Sequence, residues 1–536
     1  MTDHGRGAPA TAASRAAGAT GGATRVALGI LASRITGLIR QRAFAHFFGS
    51  SLAADAFAFA FRVPNFLQNL LGEGALSASF VPVYARLLAR DEDEAARRLA
   101  GAVFSILALL SAVLVLAGVL AAPWIVAFFA PGFDSGTREL ATQLTRILFP
   151  GLGLLVLAAW CLGILNSHRH FFLAYVAPVA WNVTMIAAMI WFGGSREGSA
   201  LAIAVAWAAV AGSALQFAVQ LPAVRQLAGA LRPSLDTGDA NLRTVLRNFV
   251  PVVTGRGVVQ ISAWMDTVLA SLVVPGAVAA LSYAQLIYML PVALFGSAVS
   301  VAELPEMASE LGSDDEVARK LRERIESAKR RIAFLVVPSV VALVTLGDLM
   351  AGVIYLSGRF GRDDAVWVWG ILAGSAVGLL ASVYGRLYAS AFYALRDPRT
   401  PMQCAIARVT LAIALAAGLS LWAPQALGIH ARWGVAGITV GSGIAGWVEF
   451  QLLRGALRRR VGEIGTPHRF TLSLWVLAGL AAALASVIRV YGGRAPSLSL
   501  SLAGLVLYGA LYLGFARIMG IPESGAVFAR LRRFRR

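Results

Sequence analysis

The chain has 536 residues, of which 58% are hydrophobic and 14% are charged. A soluble domain has about 25% charged residues, so this composition excludes an ordinary soluble protein and indicates a polytopic membrane protein. The formal net charge of +19 would by itself suggest a nucleic-acid partner, but its placement along the chain argues against one.

Residues 1–24 are rich in Ala, Gly and Thr and lack an apolar core, which predicts a disordered cytoplasmic tail and no cleaved signal peptide. Hydropathy then predicts about fourteen apolar spans, each long enough to cross a bilayer. They lie near residues 26–49, 54–88, 97–129, 138–166, 171–193, 199–223, 244–274, 278–310, 325–357, 365–395, 401–423, 433–456, 470–490 and 497–519.

With an even number of spans, most Lys and Arg residues fall in loops on one side, as the positive-inside rule requires of cytoplasmic loops. We therefore predict a multi-pass protein with both termini in the cytoplasm. The basic clusters can also attract anionic lipid head groups, so membrane lipids are a predicted partner. Because the positive-inside rule already accounts for the positive charge, we predict no nucleic-acid partner. They lie at residues 86–98, 319–331, 454–460 and 530–536.

Two segments of similar sequence suggest an internal repeat. Residues 75–82 and 298–305 both read Ala-aliphatic-Ser-small-small-any-aliphatic-Pro, and each follows a glycine, Gly74 or Gly296. At nearly the same offset Arg34 matches Arg256. A further similarity pairs residues 166–169 with residues 396–399. Chance recurrence in Ala-rich helices is the alternative.

The repeat predicts two six-helix lobes in the same orientation, related by an axis along the membrane normal, around a central cavity. Two additional C-terminal helices complete the predicted all-α integral membrane fold. The predicted division is a tail (1–24), an N-terminal lobe (25–225), a cytoplasmic linker (226–243), a C-terminal lobe (244–460), two helices that could form a groove for a lipid tail (461–520) and a basic cytoplasmic tail (521–536).

Several charged residues interrupt the predicted spans. Such residues cost ~3 kcal/mol on insertion scales, so they usually face a hydrated cavity or a partner. The predicted substrate-binding residues for an anionic cargo are Arg34, Arg40, Arg256, Glu73, Asp55 and Arg62. Snorkelling to the head groups is the alternative for the first two, a helix cap for Asp55, and an ion pair or proton coupling for Glu73.

Asp266 and Asp397 are candidate oxygen ligands for a sodium ion, although no cluster with the ligand spacing of a hard cation is visible. No other metal site or cofactor is predicted. The sequence also lacks a Walker loop, a His-Glu-x-x-His motif and a nucleophile elbow, so we predict no enzymatic activity. Sodium, the membrane potential or consumption of the cargo would have to drive transport.

Several motifs in chain order resemble the MurJ/MviN flippase family. The opening signature comprises Ser33 to Arg40, Ala54-Asp55-Ala56-Phe57, Phe61 to Asn65 and Glu73-Gly74-Ala75. Further matches are Ala130 to Phe133, Phe149-Pro150 and Phe392 to Asp397 with Arg399-Thr400-Pro401.

The resemblance implies a bacterial inner-membrane member of the multidrug/oligosaccharidyl-lipid/polysaccharide exporter superfamily. Such proteins are taken to move lipid II, the undecaprenyl-pyrophosphate-linked peptidoglycan precursor, to the outer leaflet by alternating access. Cell-wall synthesis proteins are the protein partners it suggests. The chain departs from the family at Gln68 and Leu286, where arginines are expected, and at Gln41, where an acid is expected. Arg256 is a candidate to compensate for one missing arginine.

Two other functions stay open on the sequence alone. The same fold could carry a cation-coupled exporter of a drug or of another lipid-linked glycan, which the two missing arginines favour. The chain could also be a scaffold for cell-wall synthesis whose intramembrane charges only pair with one another.

Overall fold

The structure is a computed structural model that describes residues 12–229, 234, 238–297, 307, 314–465, 468–492 and 498–525. Within these ranges the chain is mainly helical and contains no β-strand, and one isolated bridge joins Ser357 and Phe360. The predicted all-α class is confirmed.

Most predicted spans coincide with a single helix, but span 54–88 consists of two helices. The part of span 278–310 that carries the repeated motif, residues 298–305, lies outside the described residues. The helices of the first half are α1 (Ala12–Phe48), α2 (Leu52–Leu71), α3 (Glu73–Ala89), α4 (Asp93–Phe129), α5 (Ser135–Ser167), α6 (Phe171–Phe192) and α7 (Gly198–Ala228). Those of the second half are α8 (Ala240–Val273), α9 (Ala277–Pro291), α10 (Asp314–Tyr355), α11 (Arg362–Ala394), α12 (Arg399–Ala417), α13 (Gly434–Val461), α14 (His468–Gly492) and α15 (Leu498–Ile518). Helix α1 begins at Ala12, inside the segment predicted to be a disordered tail, where alanine favours helix.

Ten helices in the described part of the chain are long and apolar enough to cross a membrane. These observations fit a multi-pass membrane protein. Helices α1 and α13, which carry several charged residues, are not among the ten. The count of fourteen membrane-spanning helices therefore stays a prediction.

The chain divides into two compact units. The first comprises Met1–Phe47, Ala56–Phe128 and Ser135–Ile261, and the second comprises Phe48–Asp55, Phe129–Asp134 and Ser262–Arg536. The connection from α1 to α2 and the residues after α4 thus belong to the second unit, which hydropathy alone does not reveal. The predicted lobes, linker and tails stay predictions.

Each unit is held together by close helix packing. In the first unit α7 packs against α5 and α6, and in the second α13 packs against α11 and α12. Helices α14 and α15 pack against each other and against α10. A methyl group on Gly378 would overlap the backbone of Gly443, so glycine lets α11 and α13 approach closely.

Two helices are irregular near the repeated motif. The predicted second span is interrupted at Gly72, where a Cβ atom would lie 2.5 Å from the carbonyl oxygen of Gln68, too close for any other residue. In the second unit α9 continues after Pro291 as a π turn, Val292–Ser297. Proline lacks the N–H that an α-helix needs, which favours such a local change.

The ends of α5 and α11 share an unusual backbone. Arg169 has φ +61° and Arg396 has φ +59°, a left-handed conformation that glycine normally supplies. In each case the next N–H donates to the carbonyl five residues earlier. Asp91 after α3 has the same backbone, with φ +58°, and the N–H of Glu92 donates to the carbonyl of Leu87. The shared helix end therefore does not test the predicted pairing of residues 166–169 with 396–399, which stays a prediction.

Candidate functional site

Arg40 on α1 is the most informative of the predicted site residues. Its guanidinium carbon lies 5.3 Å from the ring centroid of Phe61 and 4.9 Å from that of Trp181. Its Nη1 donates to the thioether sulfur of Met185 at 3.9 Å, a weak acceptor. Among the side chains that the structure describes, no carboxylate pairs with Arg40.

The aromatic rings around Arg40 are themselves held in place. The rings of Phe61 and Trp181 stack with centroids 5.5 Å apart, and Phe57 stacks on Phe61 at 5.7 Å. The indole Nε1 of Trp181 donates to the carbonyl of Ala209 at 3.0 Å. The charge of Arg40 therefore sits against a fixed aromatic surface in the first unit.

A polar contact one turn away joins α1 to α6. Asn182 donates through Nδ2 to the hydroxyl of Thr36 at 3.3 Å, and Thr36 bonds to the carbonyl of Ala32 at 2.9 Å. The amide oxygen of Asn182 is buried and has no hydrogen-bond partner in the described part of the chain. This contact sets the position of α1 beside α6 and hence that of Arg40.

The other predicted site residues of the first unit are less defined. Arg34 is exposed on α1, six residues before Arg40, about 120° away around the helix. Arg62 is half-buried on α2. Glu73 and Arg256 lie on helices, but their side chains are outside the described residues, so their predicted roles stay predictions.

Asp55 has a different environment from the one expected for a cargo ligand. Its side chain is 2% exposed, and its two oxygens accept the backbone N–H of Gly276 at 2.5 Å and that of Ala279 at 2.7 Å. Gly276 precedes α9 in a left-handed conformation. The geometry therefore supports a capping role, and the helix that Asp55 caps is α9, far from it in sequence.

Asp397 is likewise engaged by protein groups. One carboxylate oxygen accepts the N–H of Arg399 at 3.1 Å and that of Thr400 at 3.2 Å. The other accepts the Thr400 hydroxyl at 2.7 Å and pairs with Arg460 at 2.6 Å. These bonds cap α12 and join it to the end of α13.

The bonds to Asp397 predict a stability that depends on pH. The Thr400 hydroxyl and N–H, followed by the Arg460 guanidinium, lower the pKa of Asp397 below its usual value. Because the folded-state pKa is the lower one, this stabilisation is present above the unfolded pKa of ~4 and is lost as pH falls through the folded pKa. We expect Asp397→Asn to lower the melting temperature at pH 7, and the difference from the parent to shrink below pH ~4.

Asp363→Asn is the matched control, because Asp363 is an exposed acid in the first turn of α11. A difference between parent and Asp397→Asn that is the same at both pH values would contradict the prediction. Thermal unfolding of the purified protein measures it.

The remaining candidate for sodium, Asp266, is half-buried on α8. Among the described residues there is no group of three or more His, Cys, Asp or Glu side chains that could hold a metal ion.

Sequence reasoning missed the acid Glu449 on α13. The Nε of Arg408 lies 3.2 Å from its carboxylate, with the two side chains 27% and 20% exposed. Glu449 lies fifteen residues into α13, ~22 Å along its axis, and Arg408 nine residues into α12, ~14 Å along. Arg386 on α11 is close enough to act on the same carboxylate. The signal was available, since Glu449 is an acid within the predicted span 433–456.

Comparisons with known proteins agree on one family. A sequence profile described as "Lipid II flippase MurJ" matches residues 44–507. The lipid II flippase MurJ of Burkholderia cenocepacia is 32% identical over 510 residues, which cover 92% of this chain and 96% of that protein. A probable lipid II flippase MurJ of Rhizobium meliloti is 32% identical over 532 residues, covering 96% and 94%.

Solved structures show the same fold. A lipid II flippase MurJ in an inward closed conformation gives a TM-score of 0.74 at 23% identity, covering 92% of this chain and 98% of that one. An inward-facing multidrug transporter of the MATE family, in the MOP superfamily, gives 0.62 at 16% identity, covering 79% and 95%. At these identities the likeness concerns the fold.

Proposed function

Because the chain belongs to the lipid II flippase MurJ family, we propose that it moves lipid II from the cytoplasmic to the outer leaflet of the bacterial inner membrane. The transport cycle is alternating access, without catalysis, and both termini lie in the cytoplasm. Cell-wall synthesis proteins are its protein partners in this proposal.

The observation that supports this function best is the guanidinium of Arg40. It lies within a predicted membrane span, against aromatic rings, and no described carboxylate neutralises it. A pyrophosphate offers the paired oxygens that a guanidinium binds with two charge-assisted hydrogen bonds. Arg40 therefore binds the pyrophosphate of the cargo, and exposed Arg34 contacts another anionic group of the head.

The proposed site differs from that of the family in its positively charged residues. Gln68 and Leu286 are both half-buried and uncharged, so they supply no charge where the family has arginines. Arg256 and Arg62 supply the additional positive charge in the proposal, and Glu73 is a partner for Arg34 or Arg256 or a proton-coupling group. The energy source that we propose is the membrane potential or a sodium gradient, with Asp266 as the sodium ligand. One elementary charge crossing 100 mV exchanges ~2.3 kcal/mol, enough to bias the cycle.

The second unit contains an apolar groove that fits part of the polyprenyl tail. Its cavity volume is about 320 Å³, at the small end of ligand cavities. The hydroxyls of Tyr508 and Tyr512 each donate to a backbone carbonyl at 2.7 Å, which leaves an apolar wall. The lining residues come from α9, its π turn, α10 and α15, including Leu294, Phe295, Phe334, Pro338, Tyr508, Gly509 and Tyr512.

Filling this groove is expected to slow transport. A Cβ atom on Gly509 meets nothing within 4 Å, so a side chain can start there, and the ring of Gly509→Phe is intended to fill part of the groove. We expect roughly fivefold slower translocation, because ~1 kcal/mol of apolar burial by the tail is lost. Binding of a soluble head-group analogue is expected to be unchanged. Gly514→Phe, on the same helix, away from the groove and equally open, is the matched control, and equal slowing by both variants would contradict the prediction.

The function itself is tested with purified protein in vesicles and in cells. We expect Arg40→Gln to weaken lipid II binding about tenfold, as expected for loss of a charge-assisted hydrogen bond, and to stop rescue of a flippase-depleted strain. Arg146→Gln is the control, since Arg146 is an exposed arginine of the same unit.

Binding of different cargo molecules distinguishes a lipid II flippase from an exporter of another lipid-linked glycan or of drugs. Preference for lipid II over other polyprenyl-phosphate sugars and over cationic drugs is the expected result. Equal binding of another lipid-linked glycan, or full rescue by Arg40→Gln at normal membrane expression, would refute the proposal.

A further inference from the structure

Phe61 and Trp181 form an aromatic support for Arg40 in the first unit. Both ring centroids lie within 5.3 Å of the guanidinium carbon. We propose that Phe61 and Trp181 are positioning residues that hold Arg40 charged and aligned for the phosphate of the cargo. The inference rests on the proposed function, because it concerns the same arginine.

The support attracts a cation without neutralising it. The face of an aromatic ring stabilises a guanidinium through its quadrupole and leaves the full positive charge in place. A carboxylate in the same position would form a salt bridge and compete with the phosphate for the N–H donors. A guanidinium stacked against rings keeps its N–H edge available for two parallel bonds to an anion.

The support is also rigid, which matters for binding. The Trp181 ring is fixed by its 3.0 Å bond to the Ala209 carbonyl, and Phe61 lies between Phe57 and Trp181 in a continuous stack. Holding a long, flexible side chain in its bound orientation beforehand removes part of the entropy loss on binding. The only described hydrogen-bond acceptor of Arg40 is the weak sulfur of Met185, so its other N–H groups have no acceptor among the residues that the structure describes.

The test is a double-mutant cycle between Trp181 and Arg40. Trp181→Leu removes the ring face, and Trp181→Phe retains one. With Arg40 present we expect Trp181→Leu to weaken lipid II binding about fivefold, a typical cation–π contribution, and Trp181→Phe to restore most of it. In an Arg40→Gln background we expect Trp181→Leu to cause no further loss.

Phe61→Leu is measured in the same way, so that the conclusion does not depend on one variant folding well. Trp447→Leu is the control, because Trp447 also donates its Nε1 to a carbonyl, at 2.8 Å, but has no described guanidinium over its ring. Melting temperatures are recorded for all variants.

The outcomes separate the two proposals. An equal loss from Trp181→Leu in both backgrounds would show a packing role and overturn the inference, as would unchanged binding in the Arg40 background. If Arg40→Gln itself leaves binding unchanged, the proposed function fails instead, whatever the tryptophan variants do.

Discussion

Replacing Asp55 with alanine is expected to lower the stability of the second unit by about 4 kcal/mol, because two hydrogen bonds to a buried charged group, each worth ~1.5–3 kcal/mol, are lost together. The variant leaves two buried N–H groups at the start of α9, those of Gly276 and Ala279, without their acceptor. It also removes a negative charge from the positive end of the helix dipole. Asp55→Asn keeps one acceptor oxygen and is expected to lose less.

Thermal unfolding in detergent and the yield of monodisperse protein measure the effect. Ser51→Ala is the matched control, since Ser51 accepts a single N–H, that of Ala54, at 3.2 Å and is expected to cost only ~0.5–1 kcal/mol. An Asp55→Ala protein that melts at the parental temperature would rule out the capping role.

The Arg408–Glu449 pair gives the second large effect. Glu449→Gln leaves the guanidinium of Arg408 on α12 without its carboxylate, and Arg408→Gln leaves the carboxylate of Glu449 with Arg386 as the only described cation near it. Breaking such a pair typically costs 3–5 kcal/mol. Because the two side chains are 27% and 20% exposed, we expect the lower end, about 3 kcal/mol, for either single variant.

Replacing both partners is expected to cost much less than either single change. The double variant Arg408→Gln/Glu449→Gln leaves neither member of the pair without its partner, and neutral replacements of ion pairs are often tolerated. Melting temperatures of the parent, both single variants and the double variant form the cycle. Additive losses would show that the two groups act independently despite the 3.2 Å contact.

Much of the fold could be predicted because the bilayer imposes a simple rule. Every spanning segment must satisfy its backbone internally, so long apolar runs become helices, and most of the predicted spans coincide with described helices. The break at Gly72 was not predicted, since apolarity continues through it. The π turn after Pro291 was not predicted either, because a proline within a span is compatible with several local geometries.

The candidate site could be predicted only in part. Arg40 could be identified because it is a charged residue in an apolar helix. A charge there is costly in free energy and is usually retained only where it has a function. Its aromatic neighbours come from α2 and α6, and no periodicity links residue 40 to residue 181. The same limit explains Asp55, whose partners Gly276 and Ala279 are more than 220 residues away. Hydropathy predicts the average polarity around a segment, but it does not predict which distant residues contact a given side chain.

The π turn at Val292–Ser297 has a consequence for how wide the tail groove can be. A π turn closes its hydrogen bond over one residue more than an α turn does. Converting it to α-helix would therefore rotate the chain that follows by about 100° around the helix axis. Leu294 and Phe295, which belong to this turn, also form part of the groove wall. The width of this apolar groove is therefore tied to the winding of a single helical turn.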